Sequence, residues 1–243
     1  MSILKEFCSI FLDALFPIPQ AERDVLAMDV EQARHILPRA NDFPIPEAAS
    51  VFAYKDERVR RLIWALKYKK SLQAAEIGGF ALYRMLSTYA NVAGQIVVVP
   101  MPITRKRRRE RGYNQCELLA DVIEKFDKTD KESSLGHGQG KILVVRGLLA
   151  RVRHTSRQTL KDRAHRLESV TDIFAVDEKA LEQFRTAIKH GGAEIVETKA
   201  VERNQPLIIV IDDVVTTGST MRDAINTLKA AGLQNVFGLS VAH

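Results

Sequence analysis

Two carboxylates, Asp212 and Asp213, stand side by side at the end of an apolar run and are followed by a cluster of hydroxyls and one glycine: IIVIDDVVTTGST. Adjacent carboxylates accept hydrogen bonds or share a cation, which suits a pair of sugar hydroxyls held directly or through a metal ion. Thr216, Thr217, Gly218, Ser219 and Thr220 suit a different group. Small residues let the backbone approach a phosphate closely, and a loop that opens a helix offers free N–H groups and the positive end of the helix dipole. The carboxylates would repel that phosphate, so the two halves serve different parts of one ligand, a sugar phosphate. A strand end and a helix cap alone would explain one or two of these polar residues, not the set.

The elements that must position them are legible on either side. Ile208–Ile211 is short and β-branched, as in a buried parallel strand. Met221, Ala224, Ile225 and Leu228 recur at helical spacing before Gly232. The arrangement is strand, loop, helix, and in open α/β sheets ligands bind beyond the carboxyl ends of the strands. Neither GxxxxGK[ST] nor GxGxxG follows any strand, which removes the two commonest competing phosphate loops.

Upstream, the pattern alternates. Val51 onward reads as a strand or turn and then a helix with Val59, Leu62, Ile63 and Leu66 on one face, and with Trp64 at core spacing. Ile77–Leu86 reads as a second helix, Ile96–Pro100 as a buried strand, and NQCELLADVIEKF as an amphipathic helix with Cys116 in a structural place near its start. Between strand and helix lies a basic loop, in which six of the seven residues Arg105 to Arg111 are basic. Asp127–Lys141 reads as a polar connection. Strands near Ile142–Val145 and ending at Val176, and a helix around Ala180–Ile188, complete the pattern. This predicts an α/β fold with a mainly parallel, twisted sheet flanked by helices. The expected division is residues 1–50 as an N-terminal helix and irregular lead-in, and 51–243 as the sugar-phosphate domain.

The chain of 243 residues carries a formal charge of +6, with 46% apolar and 27% charged residues. That is an ordinary globular composition with a modest bias toward anionic partners. Cys8 and Cys116 form no CxxC pair and no disulfide framework, which fits a reducing, cytoplasmic setting. FCSIFLDALF is too short to span a membrane and reads as an amphipathic helix packed on the protein, with a membrane-surface role as the alternative. His137 and His154 have no spaced partner and read as surface histidines.

IIVIDDVVTTGST resembles the phosphoribosyl pyrophosphate signature of type I phosphoribosyltransferases. The resemblance implies that Asp212 and Asp213 hold the ribose hydroxyls, that Thr216, Thr217, Gly218, Ser219 and Thr220 hold the 5′-phosphate, and that Mg²⁺ arrives with the ligand. Three further stretches are similar to the ComF family of phosphoribosyltransferase-like proteins: VVPMPITRKRRRERGYNQCELLA, LLARVRHTSRQTLKDRAHRL and LIWALKYKK. Arg105, Arg109 and Arg111 then become candidates for the pyrophosphate, with nucleic acid or plain solvent as their other readings. Arg153 and Arg157, in what the resemblance makes a mobile segment, are candidate anion contacts or a basic surface loop. The family's usual cysteine-rich zinc module is missing after the Phe16-Pro17 step, so no zinc is expected. Two functions follow from the resemblance: a phosphoribosyltransferase, or a non-catalytic adaptor of DNA uptake that contacts single-stranded DNA or uptake proteins. No residue pattern singles out an acceptor or an oligomeric state.

Overall fold

The computed structural model describes residues 18–93, 95–133, 142–152, 173–190 and 206–243. In chain order the elements begin with α1 (Gln20–Ala27), α2 (Val30–Ile36), β1 (Ala48–Phe52), α3 (Glu57–Tyr68), α4 (Leu72–Ala93), β2 (Ile96–Pro100), α5 (Arg105–Arg111) and α6 (Gln115–Ser133). They continue with β3 (Ile142–Val144), β4 (Leu149–Arg151), β5 (Phe174–Val176), α7 (Glu178–His190), β6 (Leu207–Val214), α8 (Ser219–Ala230) and β7 (Val236–Ala242).

Five strands form one parallel sheet in the order β1-β7-β6-β2-β3, with β6 near its centre. Its inner strands are largely apolar because both faces are covered, with Asp212 and Asp213 at the end of β6 and Ser240 in β7 as the polar exceptions. Alternation along each strand sorts the side chains. Ile96, Val98, Ile209, Ile211, Leu239 and Val241 join the core under α3, α4 and α6. Val97, Val99, Ile208 and Val210 join the opposite core with Met221, Ile225 and Leu228 of α8. The strands β4 and β5 pair antiparallel in a separate ribbon on that second side.

Local interactions fix the helix ends and spacings. The Asp56 carboxylate caps α3, accepting from the Arg58 and Val59 N–H groups at 2.8 and 3.3 Å. Val59, Leu62, Ile63 and Leu66 are buried beneath it, as their spacing predicts. α4 lies so close to α6 that a Cβ on Gly79 would stand 2.6 Å from the Val122 side chain.

Several expectations change. The lead-in from residue 18 is not irregular: α1 and α2 are helices of 8 and 7 residues, too short to show a periodic run. A capping box between Asp29 and Gln32 starts α2, and Val25 and Ala33 bury into the first core. β1 itself runs across residue 50 and pairs with β7. The basic stretch is not a loop but α5, capped by the Thr104 hydroxyl and closed by Gly112 in the left-handed region. The polar stretch after Asp127 continues α6 to Ser133. β7, interrupted by Gly238 and Ser240, is a strand that no alternating pattern announces. The N-terminal FCSIFLDALF segment lies outside the described residues.

Candidate functional site

β6 carries both aspartates within the strand rather than after it. Successive strand residues point to opposite faces, so the two carboxylates diverge before meeting the same cavity. Asp212 is half-buried and accepts from the Cys116 thiol at 3.4 Å and from the Asp213 N–H at 2.8 Å. Asp213 is buried on the α3 side, where Lys67 Nζ stands 3.2 Å from its Oδ1. The Val214 N–H donates to the same oxygen at 2.7 Å. Asp213 Oδ2 is buried with no hydrogen-bond partner. Asp213 therefore has a cationic partner in Lys67, from an element far from it in the chain. One oxygen is still left over.

Burial and the neighbouring Asp213 push the Asp212 carboxyl up to about 7. Burial, with both carboxylates close by, pushes the Cys116 thiol up as well, so it is a protonated donor and no nucleophile.

Gly218 turns the chain from β6 into α8 with φ of 76°, a conformation that excludes side chains at low cost. A Cβ there would also meet Ile45 and Pro44 at 3.1 Å. As the residue before α8 it offers no side-chain cap; the Ser219 N–H makes a weak contact with Thr217 Oγ1 at 3.5 Å, and Gly218, Ser219, Thr220 and Met221 line the cavity. Thr217 and Ser219 hydroxyls lie 3.1 Å apart above that turn.

A cavity of about 280 Å³ brings these groups together. Asp212, Asp213 and Thr216 to Thr220 all line it, as do Lys67, Gln115, Arg107 and Arg151. Of the basic run, Arg107 reaches the wall, whereas Arg105 and Arg109 do not line it. Arg111 sits behind: it donates to Gln115 Oε1 at 2.9 Å and covers the Tyr68 ring at 5.2 Å. Arg151, from β4, lies over Phe174, and burial together with nearby Arg107 holds its guanidinium below its usual range. Arg153, Arg157 and both His137 and His154 lie outside the described residues.

Two residues of the GYNQ stretch set the frame. Buried Asn114 donates to the Met101 carbonyl at 3.1 Å and accepts from the Cys116 N–H at 3.0 Å, tying the β2 loop to α6. Tyr113 donates to the Leu66 carbonyl at 2.7 Å and accepts from the Lys70 N–H at 3.0 Å. That clamp holds the turn after α3, where Lys70 adopts φ of 50°, uncommon for a side chain with a Cβ. Lys67, Gln115, Arg107 and Arg151 were not singled out by residue pattern. LKYKK was the one signal for Lys67. Trp64, expected in the core, is instead 40% exposed, because it sits one step round α3 from the buried face.

Among the described residues, no group of three or more His, Cys, Asp or Glu side chains is placed to hold a metal ion, and no helix is long and apolar enough to cross a membrane.

The sheet, its flanking helices and the loop at the end of β6 are consistent with a type I phosphoribosyltransferase-like fold. No protein-family model matches the chain. Competence protein F of Haemophilus influenzae is 25% identical over 150 residues, covering 60% of this chain. The match spans about half the length of that relative, 50%. The chain is thus a distant homologue of competence protein F, which supports a family-level ComF assignment.

Proposed function

We propose that the cavity binds phosphoribosyl pyrophosphate and that the protein is a ComF-like phosphoribosyltransferase. The observation that carries this reading is the buried, unpartnered Asp213 Oδ2, on a residue that lines the same cavity as the hydroxyl loop. A buried acceptor without a donor is costly, and a ribose hydroxyl supplies that donor. On this reading Asp212 and Asp213 hold the ribose, and Thr216 to Thr220 hold the 5′-phosphate. Arg107 and Arg151 meet the diphosphate, because they are the guanidinium groups at the cavity wall. Arg111 acts one step back, by orienting Gln115.

In the reaction the anomeric C–O bond breaks, pyrophosphate leaves with the electron pair, and an acceptor nucleophile forms the new bond. Positive charge builds on the sugar ring, and the nearby carboxylates stabilise it. Lys67 holds Asp213 through Oδ1 and leaves Oδ2 without a partner of its own. Mg²⁺, carried in with the ligand, would neutralise the departing diphosphate. Asp212 and Asp213 are the carboxylates of the cavity that would meet it. The reading includes no zinc, since the chain has two cysteines and no paired spacing.

Isothermal titration with phosphoribosyl pyrophosphate and Mg²⁺ tests this. The wild type should bind, and Asp212→Asn with Asp213→Asn should lose ~100-fold in affinity through two charge-assisted hydrogen bonds. Equal affinity in a folded double variant would refute the ribose assignment. A screen of acceptors for pyrophosphate release then separates turnover from binding.

A second reading, an adaptor in DNA uptake, draws on the name of the relative and on α5. Arg105 and Arg109 have no carboxylate partner among the described residues. Such a helix suits a single-stranded DNA backbone or an acidic uptake protein.

A further inference from the structure

A second cavity, of about 380 Å³, adjoins the first and shares Lys67 with it. Its floor is the face of α3 opposite the buried Leu62 and Leu66, and that face exposes two large rings one turn apart. Trp64 is 40% and Tyr68 61% exposed. Their ring centres lie 5.8 Å apart at 45°, tilted rather than stacked, so neither ring covers the other's face. Each ring carries a cation over it: Lys69, itself paired with Glu22 at 2.7 Å, lies 5.0 Å from the Trp64 ring centre, and Arg111 lies 5.2 Å from that of Tyr68. Arg60 and Arg61 line the same groove with Glu57, which stands 3.7 Å from Arg61, while Arg60 also donates to the Lys55 carbonyl at 2.6 Å.

Partly exposed aromatic rings beside cations have a defined complement: a flat π-system that carries negative charge. A hydrocarbon ligand would leave the arginines unused, and a bare phosphate would leave the rings wet. We propose that this groove is a nucleotide-binding subsite, in which a heterocyclic base stacks on Trp64 and Tyr68 while its phosphate meets Arg60 and Arg61. The volume is within the range of small-molecule sites. The site stands independently of the sugar-phosphate cavity, although a ligand in it would press on Lys67 and so on Asp213.

Trp64 is the only tryptophan in the chain and lines this groove, so its fluorescence is a direct probe of the groove. The test titrates AMP, adenine, inorganic phosphate, ribose 5-phosphate and a short oligothymidylate against that emission. AMP should quench it saturably, with ribose 5-phosphate and inorganic phosphate leaving it unchanged and adenine acting more weakly than AMP. Tyr68→Ala and Arg61→Ala, with circular dichroism confirming the fold, should each weaken the AMP response about tenfold or more. Quenching by ribose 5-phosphate equal to that by AMP would overturn the proposal, since the signal would then come from the first cavity. So would quenching by the oligonucleotide but not by AMP, which would mark a nucleic-acid surface. An AMP response that both variants leave unchanged would likewise end it.

Discussion

Asp212 and Lys67 show what single residues contribute to this site. The Asp212 carboxyl is raised to about 7 by burial and by Asp213, against an ordinary value of 3.8. Between those values the folded protein keeps a proton that the unfolded chain has released, so stability falls as pH rises through the window. Asp212→Asn removes that penalty. In ligand-free protein with chelator, its melting temperature should match the wild type near pH 4 and exceed it near pH 8 by on the order of 5 °C. A difference independent of pH would show that Asp212 does not titrate there. Lys67→Met should act oppositely, leaving Asp213 buried beside Asp212 without its cation. Adding Asp213→Asn to it should recover most of the drop in melting temperature, because the uncompensated charge is then gone. The acidic pair and the hydroxyl loop were legible in the sequence because one contiguous stretch supplies them. Lys67 and Arg151 were not, since each reaches the cavity from a segment far along the chain. Trp64 misled because its apolar character outweighed its place, one step round α3 from the core stripe.

At the scale of elements, the alternation of apolar strands and amphipathic helices was enough to predict the parallel sheet and most of its helices. What escaped were elements too short or too mixed to carry a period: α1, α2, β4, and β7 with its Gly238 and Ser240. The basic run looked like a loop because it has no apolar face; Thr104 and Gly112 at its ends make it a helix. Distances between elements are not written in periodicity at all, and α4 against α6 is the case that matters for stability. Gly79→Ala should gain up to about 1 kcal/mol of helix propensity in α4. It also drives a Cβ to 2.6 Å from Val122 and 3.1 Å from the Leu119 carbonyl oxygen. Overpacking of that kind costs about 1–3 kcal/mol, and backbone cannot step aside as a side chain can. The balance should be destabilising, with a lower urea midpoint and an unchanged slope. Val122→Ala in the same chain should restore part of the stability. A stabilised Gly79→Ala would mean the two helices separate freely.

Over the whole molecule, the charge of +6 is distributed unevenly, and the two anionic partners proposed for it, a sugar diphosphate and a DNA strand, draw on different parts of that charge. Arg107 and Arg151 line the cavity, where a small diphosphate would meet both at once, although Arg107 is itself exposed. Arg105 and Arg109 sit exposed on α5, where they add long-range attraction for a polyanion and little for a ligand held inside. Arg107→Ala should therefore weaken phosphoribosyl pyrophosphate about tenfold or more while sparing ribose 5-phosphate, which lacks the diphosphate. Arg105→Ala with Arg109→Ala should leave both of those affinities within about twofold, a surface charge being worth little at short range. The same pair should weaken single-stranded DNA, if the adaptor reading holds, and lower the salt slope of its binding by about 0.7 for each phosphate no longer neutralised. Titration of both ligands across a salt series separates the cases. If the Arg105 and Arg109 variant weakens phosphoribosyl pyrophosphate as strongly as Arg107→Ala does, the diphosphate lies along the exposed face of α5, outside the cavity. If neither variant changes the DNA slope, the adaptor reading has no footing on α5, and the molecule's positive charge serves the small anions that its cavities hold.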